Sequence, residues 1–367
     1  MIVEADAVVV GAGPAGAAFA LNLAPSRRVL MIERRDAAAL RIGESLPAAA
    51  RRLLADMGLW QAFSDQRHEP CHAGRSVWGS DRPVEADALR DLDGPGWHLD
   101  RSRFDRLLQD AAVARGAALL APAQAHAVGR DEAGAWRMEV TLGGRRLPIR
   151  TTLLVDAGGR ASRLLRRFGA ERLVRDRLVC GFVHGTDARG RQSGLTQIEA
   201  EAGGWWYTAS VPEGRRVLAF HTDADLPSAQ AAQTRAGLLR RAATLPFFAE
   251  ILAASGFQPD EAAGFCAAHS AELTPAAGDG WIAIGDAASS FDPLSSQGLF
   301  NALYTGLAGA EAADRHLAGD PSALPGYHAG VFPIRDAYRT HLESWYGLEQ
   351  RWAAQPFWQR RHAAGRS

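Results

Sequence analysis

Residues 8 to 33 leave few folds open to this chain. Val8-Val9-Val10 is a β-branched run, Gly11-Ala12-Gly13-Pro14-Ala15-Gly16 follows without a gap, and Ala17 to Leu23 reads as a helix. Gly11 permits a tight turn, Gly13 lets a pyrophosphate approach the backbone, and Gly16 lets helix and strand pack closely. A second apolar strand, Val29-Leu30-Met31-Ile32, ends in Glu33, at the spacing where an acid binds a ribose hydroxyl. A lone GxGxxG is weak. Here strand, glycines, helix, second strand and acid occur in register, which predicts a β-α-β unit holding a dinucleotide through Gly11, Gly13, Pro14, Ala15, Gly16, Glu33 and Arg34.

Residues 281–298 indicate which dinucleotide. Trp281 to Ile284 is a short apolar run fit for a buried strand, and Gly285-Asp286 ends it with a carboxylate that can accept hydrogen bonds from a polyol chain. Beyond Pro293, Ser295-Ser296-Gln297-Gly298 precedes a helical pattern from about Leu299 to His316. Free N–H groups and the positive dipole end would face whatever sits there. A reduced isoalloxazine ring, anionic at its N1 and O2 edge, suits that place. Taken alone the stretch also reads as an ordinary strand, loop and helix; the fingerprint at the other end of the chain favours flavin. Gly285, Asp286, Pro293, Gln297, Gly298 and Leu299 are therefore assigned to the flavin, with Pro293, Ser296 and Gln297 at its reactive edge.

Composition excludes several alternatives. The 367 residues can bury a large core, and a formal net charge of zero gives no reason to expect nucleic acid as a partner. All 41 basic residues are Arg, with no Lys, so a mechanism that needs a lysine amine is closed. Cys71, Cys180 and Cys266 show no CxxC or zinc-like spacing, and reduced structural thiols are expected, with no metal. No apolar run reaches membrane-spanning length and residues 1–10 lead straight into the first strand, so the cytoplasm is the expected compartment.

The remaining segments look discontinuous. Gly43-Glu44-Ser45-Leu46-Pro47 precedes a helical pattern with Leu53, Leu54, Met57 and Leu59 on one face. Arg41 and Glu44 there are either cofactor ligands or solvated loop residues. Asp100 or Ser102 can cap a helix reaching about Arg115, and Arg101 or Arg103 can reach a phosphate, one of the two being a surface charge. Leu153 to Ser162 is a strand ending in Asp156-Ala157-Gly158-Gly159, where the backbone must come close to something. Leu178 to Val183, Leu195 to Ile198, Trp205 to Val211 and Val217 to His221 read as an inserted antiparallel sheet, with helices over 229–256. Adjacent Trp205 and Trp206 point to opposite faces, so one lines a pocket while the other packs in the core. His98, His184, His221 and His269 are candidate bases, none preferred. Trp345, Tyr346, Trp352, Phe357 and Trp358 in the last segment read as helical core packing, with a partner-binding surface as the sharper alternative.

Together the glycine fingerprint with Glu33, Gly43-Glu44-Ser45, Asp100-Arg101 with Phe104-Asp105, Asp156-x-Gly158, and Gly285-Asp286 through Gly298 resemble the single-component FAD monooxygenases of the p-hydroxybenzoate hydroxylase fold, in the branch that includes flavin-dependent halogenases. The resemblance covers the chain up to about residue 330. It implies an α/β protein with a Rossmann-like FAD-binding domain built from 1–70, 97–175 and 276–330. An antiparallel-sheet substrate domain would span 71–96 and 176–275, followed by a helical segment, 331–367. Arg41, Gly43, Glu44, Ser45, Arg101, Asp156, Ala157 and Gly158 join the FAD ligands by the same resemblance. Halogenases of the branch rely on a lysine and a WxWxIP motif. This chain has no lysine and offers Trp205-Trp206-Tyr207-Thr208-Ala209-Ser210-Val211-Pro212. That pattern looks more like the maturation flavoproteins that hydroxylate a partner protein's tryptophan on the way to a tryptophylquinone.

The implied reaction uses non-covalent FAD, an external reductant (NAD(P)H or reduced flavin), and a flavin C4a-hydroperoxide that gives one oxygen to an electron-rich ring, with Trp206, Pro293, Ser296 and Gln297 positioning. The substrate is an aromatic small molecule or a tryptophan on a partner protein. Reduction of a polyprenyl or other alkene is the alternative, and a non-catalytic flavin-binding partner protein the third reading. No second GxGxxG appears, so no separate nicotinamide domain is expected.

Overall fold

Two sheets organise the chain, and residue alternation along their strands decides what each face meets. The computed structural model describes residues 2–35, 41–87, 93–189 and 194–364. It runs β1 (Val3–Val10), α1 (Pro14–Leu23), β2 (Val29–Ile32), α2 (Arg101–Ala114) and β3 (Arg145–Asp156). Four long strands follow: β4 (Leu178–Asp187), β5 (Leu195–Glu201), β6 (Gly204–Val211) and β7 (Arg215–Asp223). Helices α3 (Pro227–Ala232), α4 (Arg235–Ala242) and α5 (Pro246–Ser255) lead to β8 (Phe257–Ala267) and β9 (Trp281–Ala283). The chain ends in α6 (Gly298–Leu317), α7 (Ala323–Leu348) and α8 (Pro356–Ala364).

In the first sheet β1 lies between β2 and β3, parallel to both, and β9 joins the far side of β3, also parallel. Parallel strands covered on both faces need uninterrupted apolar runs, and β2 is buried at every position. An antiparallel hairpin, Ala123–Arg130 with Trp136–Leu142, extends β3. Helix α1 covers this sheet and packs against α6. A Cβ on Gly306 of α6 would stand 2.6 Å from the Ala15 carbonyl, so the helices meet backbone to backbone. The α/β expectation holds.

The second sheet has the order β8-β4-β7-β6-β5, extended by Ala73–Val77 and Val84–Asp87. The expected antiparallel sheet is in fact mixed, because Ala73–Val77 pairs with β5 in parallel. Its strands also outrun the apolar cores that announced them, β4 reaching Asp187 and β7 Asp223. One face is covered by α3 to α5, where Val183, Trp206, Leu218 and Phe220 meet Leu238, Phe247 and Phe248. On the opposite face Cys180, Trp205 and Ala219 meet Tyr346, Phe357 and Trp358 from α7 and α8.

Trp205 and Trp206 do point to opposite faces, yet neither is left open to a pocket, being 1% and 0% exposed. Trp206, expected to position the substrate, stacks on Phe220 at 4.7 Å under the helical layer. The cause is the phase of β6: Trp205 faces α7 and α8, and Trp206 faces α3 to α5. Core packing is also what the C-terminal aromatics do, with Tyr346, Phe357 and Trp358 buried, while Trp345 is exposed. Among the described residues no helix is long and apolar enough to cross a membrane.

Candidate flavin site and facing sheet

Gly11 has φ +106°, and a Cβ there would stand 2.3 Å from the Ala157 carbonyl; one on Gly16 would stand 2.0 Å from the Gly11 carbonyl. The backbone that had to approach something at Ala157-Gly158 thus approaches the Gly11 turn itself. Around Gly13 the space is open, with Arg41 Nη1 3.9 Å from where its Cβ would be. Helix α1 starts at Pro14, and the unpaired N–H groups of its first turn point into that space. Arg41 spends Nη1 on Asp105 at 3.2 Å, while its Nε is buried without a partner. An open glycine turn, a helix N-terminus and an under-satisfied guanidinium fit a diphosphate. Glu33 stands at the tip of β2, its carboxylate accepting from the N–H of Ala12 (3.0 Å) and of Arg35 (3.1 Å), and Arg34 beside it is exposed.

Two expected ligands turn inward instead. Asp156 is buried and accepts from Gly158 N–H and Ser162 Oγ, so it braces the turn rather than reaching the nucleotide. Burial raises its carboxyl above the ordinary range. Arg101 commits its guanidinium to Asp105 and to the carbonyls of Ile42 and Gly43, holding the segment opposite the fingerprint. Arg103 pairs with Asp100, whose carboxylate caps α2 through Ser102 and Arg103 N–H.

At the ring end, Gly285 has φ +56°, and a Cβ there would press on Ala15 at 2.6 Å. Asp286 meets Arg160 at 3.4 Å and keeps a third of its side chain exposed, available to a polyol hydroxyl. Three guanidiniums hold the carbonyls of this loop. Arg160 binds that of Phe291, Arg172 those of Asp286 and Ala287, and Arg335 that of Ala288. Next comes a single 3-10 turn, Pro293–Ser295, capped by Asp292, and then Ser296 at φ +52°. Pro293 and Gln297 are exposed and Leu299 is buried. Gln297 supplies no side-chain cap to α6, and a Cβ on Gly298 would meet nothing within 4 Å. This uncapped helix start fits an anionic ring edge.

Asp292 anchors that loop. Its Oδ2 accepts from the Tyr346 hydroxyl at 2.7 Å and its backbone N–H donates to the Tyr338 hydroxyl, also at 2.7 Å. The Trp205 indole N–H donates to the same Tyr346 oxygen at 3.0 Å. Burial pushes the Asp292 carboxyl up to about 6. Sequence reasoning took Tyr346 only as one of the C-terminal aromatics and passed over Tyr338, since both lie far along the chain from Asp292.

The Gly43-Glu44-Ser45 segment meets the face of the second sheet that carries His184 and Tyr207. Glu44 is buried, 3% exposed, which removes the solvated-loop reading. One of its oxygens lies 3.3 Å from His184 Nε2 and the other accepts from Gly43 N–H at 3.0 Å. Ser45 Oγ meets the Tyr207 hydroxyl at 3.3 Å. Ile42, Phe182, Ile198, Tyr207 and Leu294 pack against one apolar cluster here. Two of the other candidate histidines serve structure: His98 is sealed against Thr196, and His221 stacks on Trp205 at 3.7 Å and is pushed down to about 3 by burial. His269 is half-buried, and burial lowers its imidazole.

Residues 4–215 match the FAD binding domain family. LodB of Marinomonas mediterranea, named as an FAD-dependent oxidoreductase, is 31% identical over 98% of this chain and 97% of its own length. Among solved structures, the peptidyl tryptophan dihydroxylase QhpG, essential for tryptophylquinone cofactor biogenesis, superposes with a TM-score of 0.77. It is 26% identical and covers 98% of this chain and 79% of its own. The myxobacterial chondrochloren halogenase CndH reaches 0.86 at 22% identity over 98% and 86%, a likeness of fold. A cradle for a diphosphate, a carboxylate for a polyol and an open helix start for a ring thus coincide with these likenesses: the chain belongs to the FAD binding domain family and is an FAD-dependent oxidoreductase.

Proposed function

We propose that this enzyme is a monooxygenase that hydroxylates an electron-rich aromatic ring, the tryptophan side chain of a partner polypeptide. The observation that carries the reading is the likeness to QhpG over 98% of the chain. Two features of the sequence support it: the chain has no lysine to serve a halogenase, and it places Trp205-Trp206-Tyr207 ahead of Val211-Pro212.

FAD, when bound, supplies the activation of O2 and the transfer of one oxygen atom. The protein's share is binding, orientation and exclusion of water. In this reading Gly11, Gly13, Pro14, Ala15, Gly16 and Arg41 hold the diphosphate, Glu33 the ribose, and Asp286 the polyol. Pro293, Ser296, Gln297, Gly298 and Leu299 set the ring edge against the α6 dipole, which favours negative charge there. The contact of Ser45 Oγ with the Tyr207 hydroxyl at 3.3 Å joins the flavin segment to the second sheet. The reductant, a nicotinamide or reduced flavin, and a cytoplasmic location belong to the same proposal.

The test is turnover under 18O2 with FAD, a reductant and a tryptophan-bearing polypeptide encoded beside this gene. The expected product carries heavy oxygen on that tryptophan. Flavin cycling that leaves every tryptophan unlabelled would sink the reading, and reduction of an alkene without O2 would support the prenyl-reductase alternative.

A further inference from the structure

We propose that His184, oriented by Glu44, is the base that takes the proton from the aromatic carbon as it is hydroxylated. The proposal rests on the monooxygenase reading. Hydroxylation replaces a ring hydrogen: a C–O bond forms, the C–H bond breaks, and its electron pair returns to the ring. The proton goes to His184 Nδ1. The second oxygen of O2 leaves as water, with two electrons from the nicotinamide or reduced flavin.

The dyad has the parts this step requires. Glu44, as a carboxylate, can only accept, so the 3.3 Å contact puts the imidazole proton on Nε2 and leaves a lone pair on Nδ1. Nδ1 has no hydrogen-bond partner among the described residues. It is also absent from the sealed, unpartnered atoms, which include Nδ1 of both His98 and His221. That nitrogen therefore keeps a sliver of accessible surface on a residue that is otherwise buried, 6% exposed. Glu44 cannot swing away, because Gly43 N–H holds its second oxygen and Arg101 grips the Gly43 carbonyl at 2.9 Å. The Phe182 ring stands edge-on to His184 at 5.6 Å and 85°, on the same face of β4, an aromatic wall beside the base. A base on the substrate sheet and its orienting acid on the flavin segment meet only when the two domains are packed together. His98 and His221 lack the open nitrogen, and the side chain of His221 is covered by Trp205.

Nitrogen NMR of 15N-histidine-labelled protein reads the tautomer without turnover. Nε2 protonated and Nδ1 bare are expected for His184, and the reverse tautomer overturns the proposal. In turnover, His184→Ala should retain FAD and consume O2, while hydroxylated product per O2 falls roughly 100-fold or more, in the range of general-base contributions, and added imidazole restores part of it. Glu44→Gln keeps the shape but lets an amide N–H donate to Nε2, so it should favour the wrong tautomer and lower product per O2 as well. Wild-type product per O2 in either variant overturns the dyad. A wild-type enzyme that labels no tryptophan, with the NMR tautomer as expected, removes the monooxygenase reading instead.

Discussion

Asp292 shows how one buried residue can set a loop and register pH at once. An aspartic acid whose folded value is raised to about 6 favours its neutral form in the native state. Its contribution to stability is therefore fully present below the unfolded value near 4 and is lost as pH rises through 6. The groups facing it are Tyr338, Tyr346, Arg361 and Asp176, the last adding to the upward push and Arg361 opposing it. Asp292→Asn removes the titration while keeping an oxygen for Leu294 N–H. Chemical denaturation at pH 4 and pH 7 should show the wild-type protein losing about 2 kcal/mol more than the variant over that interval, most of a two-unit shift. Equal pH dependence in the two proteins would mean that the carboxyl is not shifted. At this scale the sequence was partly legible. Glycines declare themselves, because only they tolerate the approach at Gly11 and Gly16. The side-chain commitments of Asp156 and Arg101 did not, because a strand-end acid or a helix-start arginine reads the same whether it faces a cofactor or its own backbone.

Between elements, the contact of α1 with α6 brings the two nucleotide-binding segments together. Gly306 lies 2.6 Å, by its missing Cβ, from the Ala15 carbonyl, and the neighbouring Ala18 leaves no slack at 2.9 Å. Gly306→Val forces the helices apart and should cost about 3 kcal/mol or more, at the upper end of overpacking penalties. FAD content measured by absorbance should fall with it. A variant that keeps full flavin would show that the contact does not fix the site. Strand, turn and helix order at both nucleotide segments was legible because periodicity and glycine placement are local. The parallel pairing of Ala73–Val77 with β5 was not, since Ala-Gly-Arg-Ser-Val carries no alternation. Nor was the phase of β6, because tryptophan at two successive positions satisfies either face.

Over the whole molecule, the proposed site draws on segments from both ends of the chain, so FAD bound there stabilises the native fold as a whole. Binding to the native state alone adds about 2.7 kcal/mol at a hundredfold excess over Kd, so FAD should raise the melting temperature of stripped protein by roughly 5 °C. Thermal denaturation across an FAD titration checks it, and a melting temperature that ignores FAD would place the cofactor outside the folded core.

Tyr338 and Tyr346 fasten the Asp292 loop from the far end of the chain. During synthesis the fingerprint, the polyol acid and the α6 start all leave the ribosome before either tyrosine does. The nascent chain can therefore form the nucleotide cradle early, but the loop facing the ring takes its final position only once residue 346 has emerged. Flavin taken up before then would meet the cradle without its fastened loop.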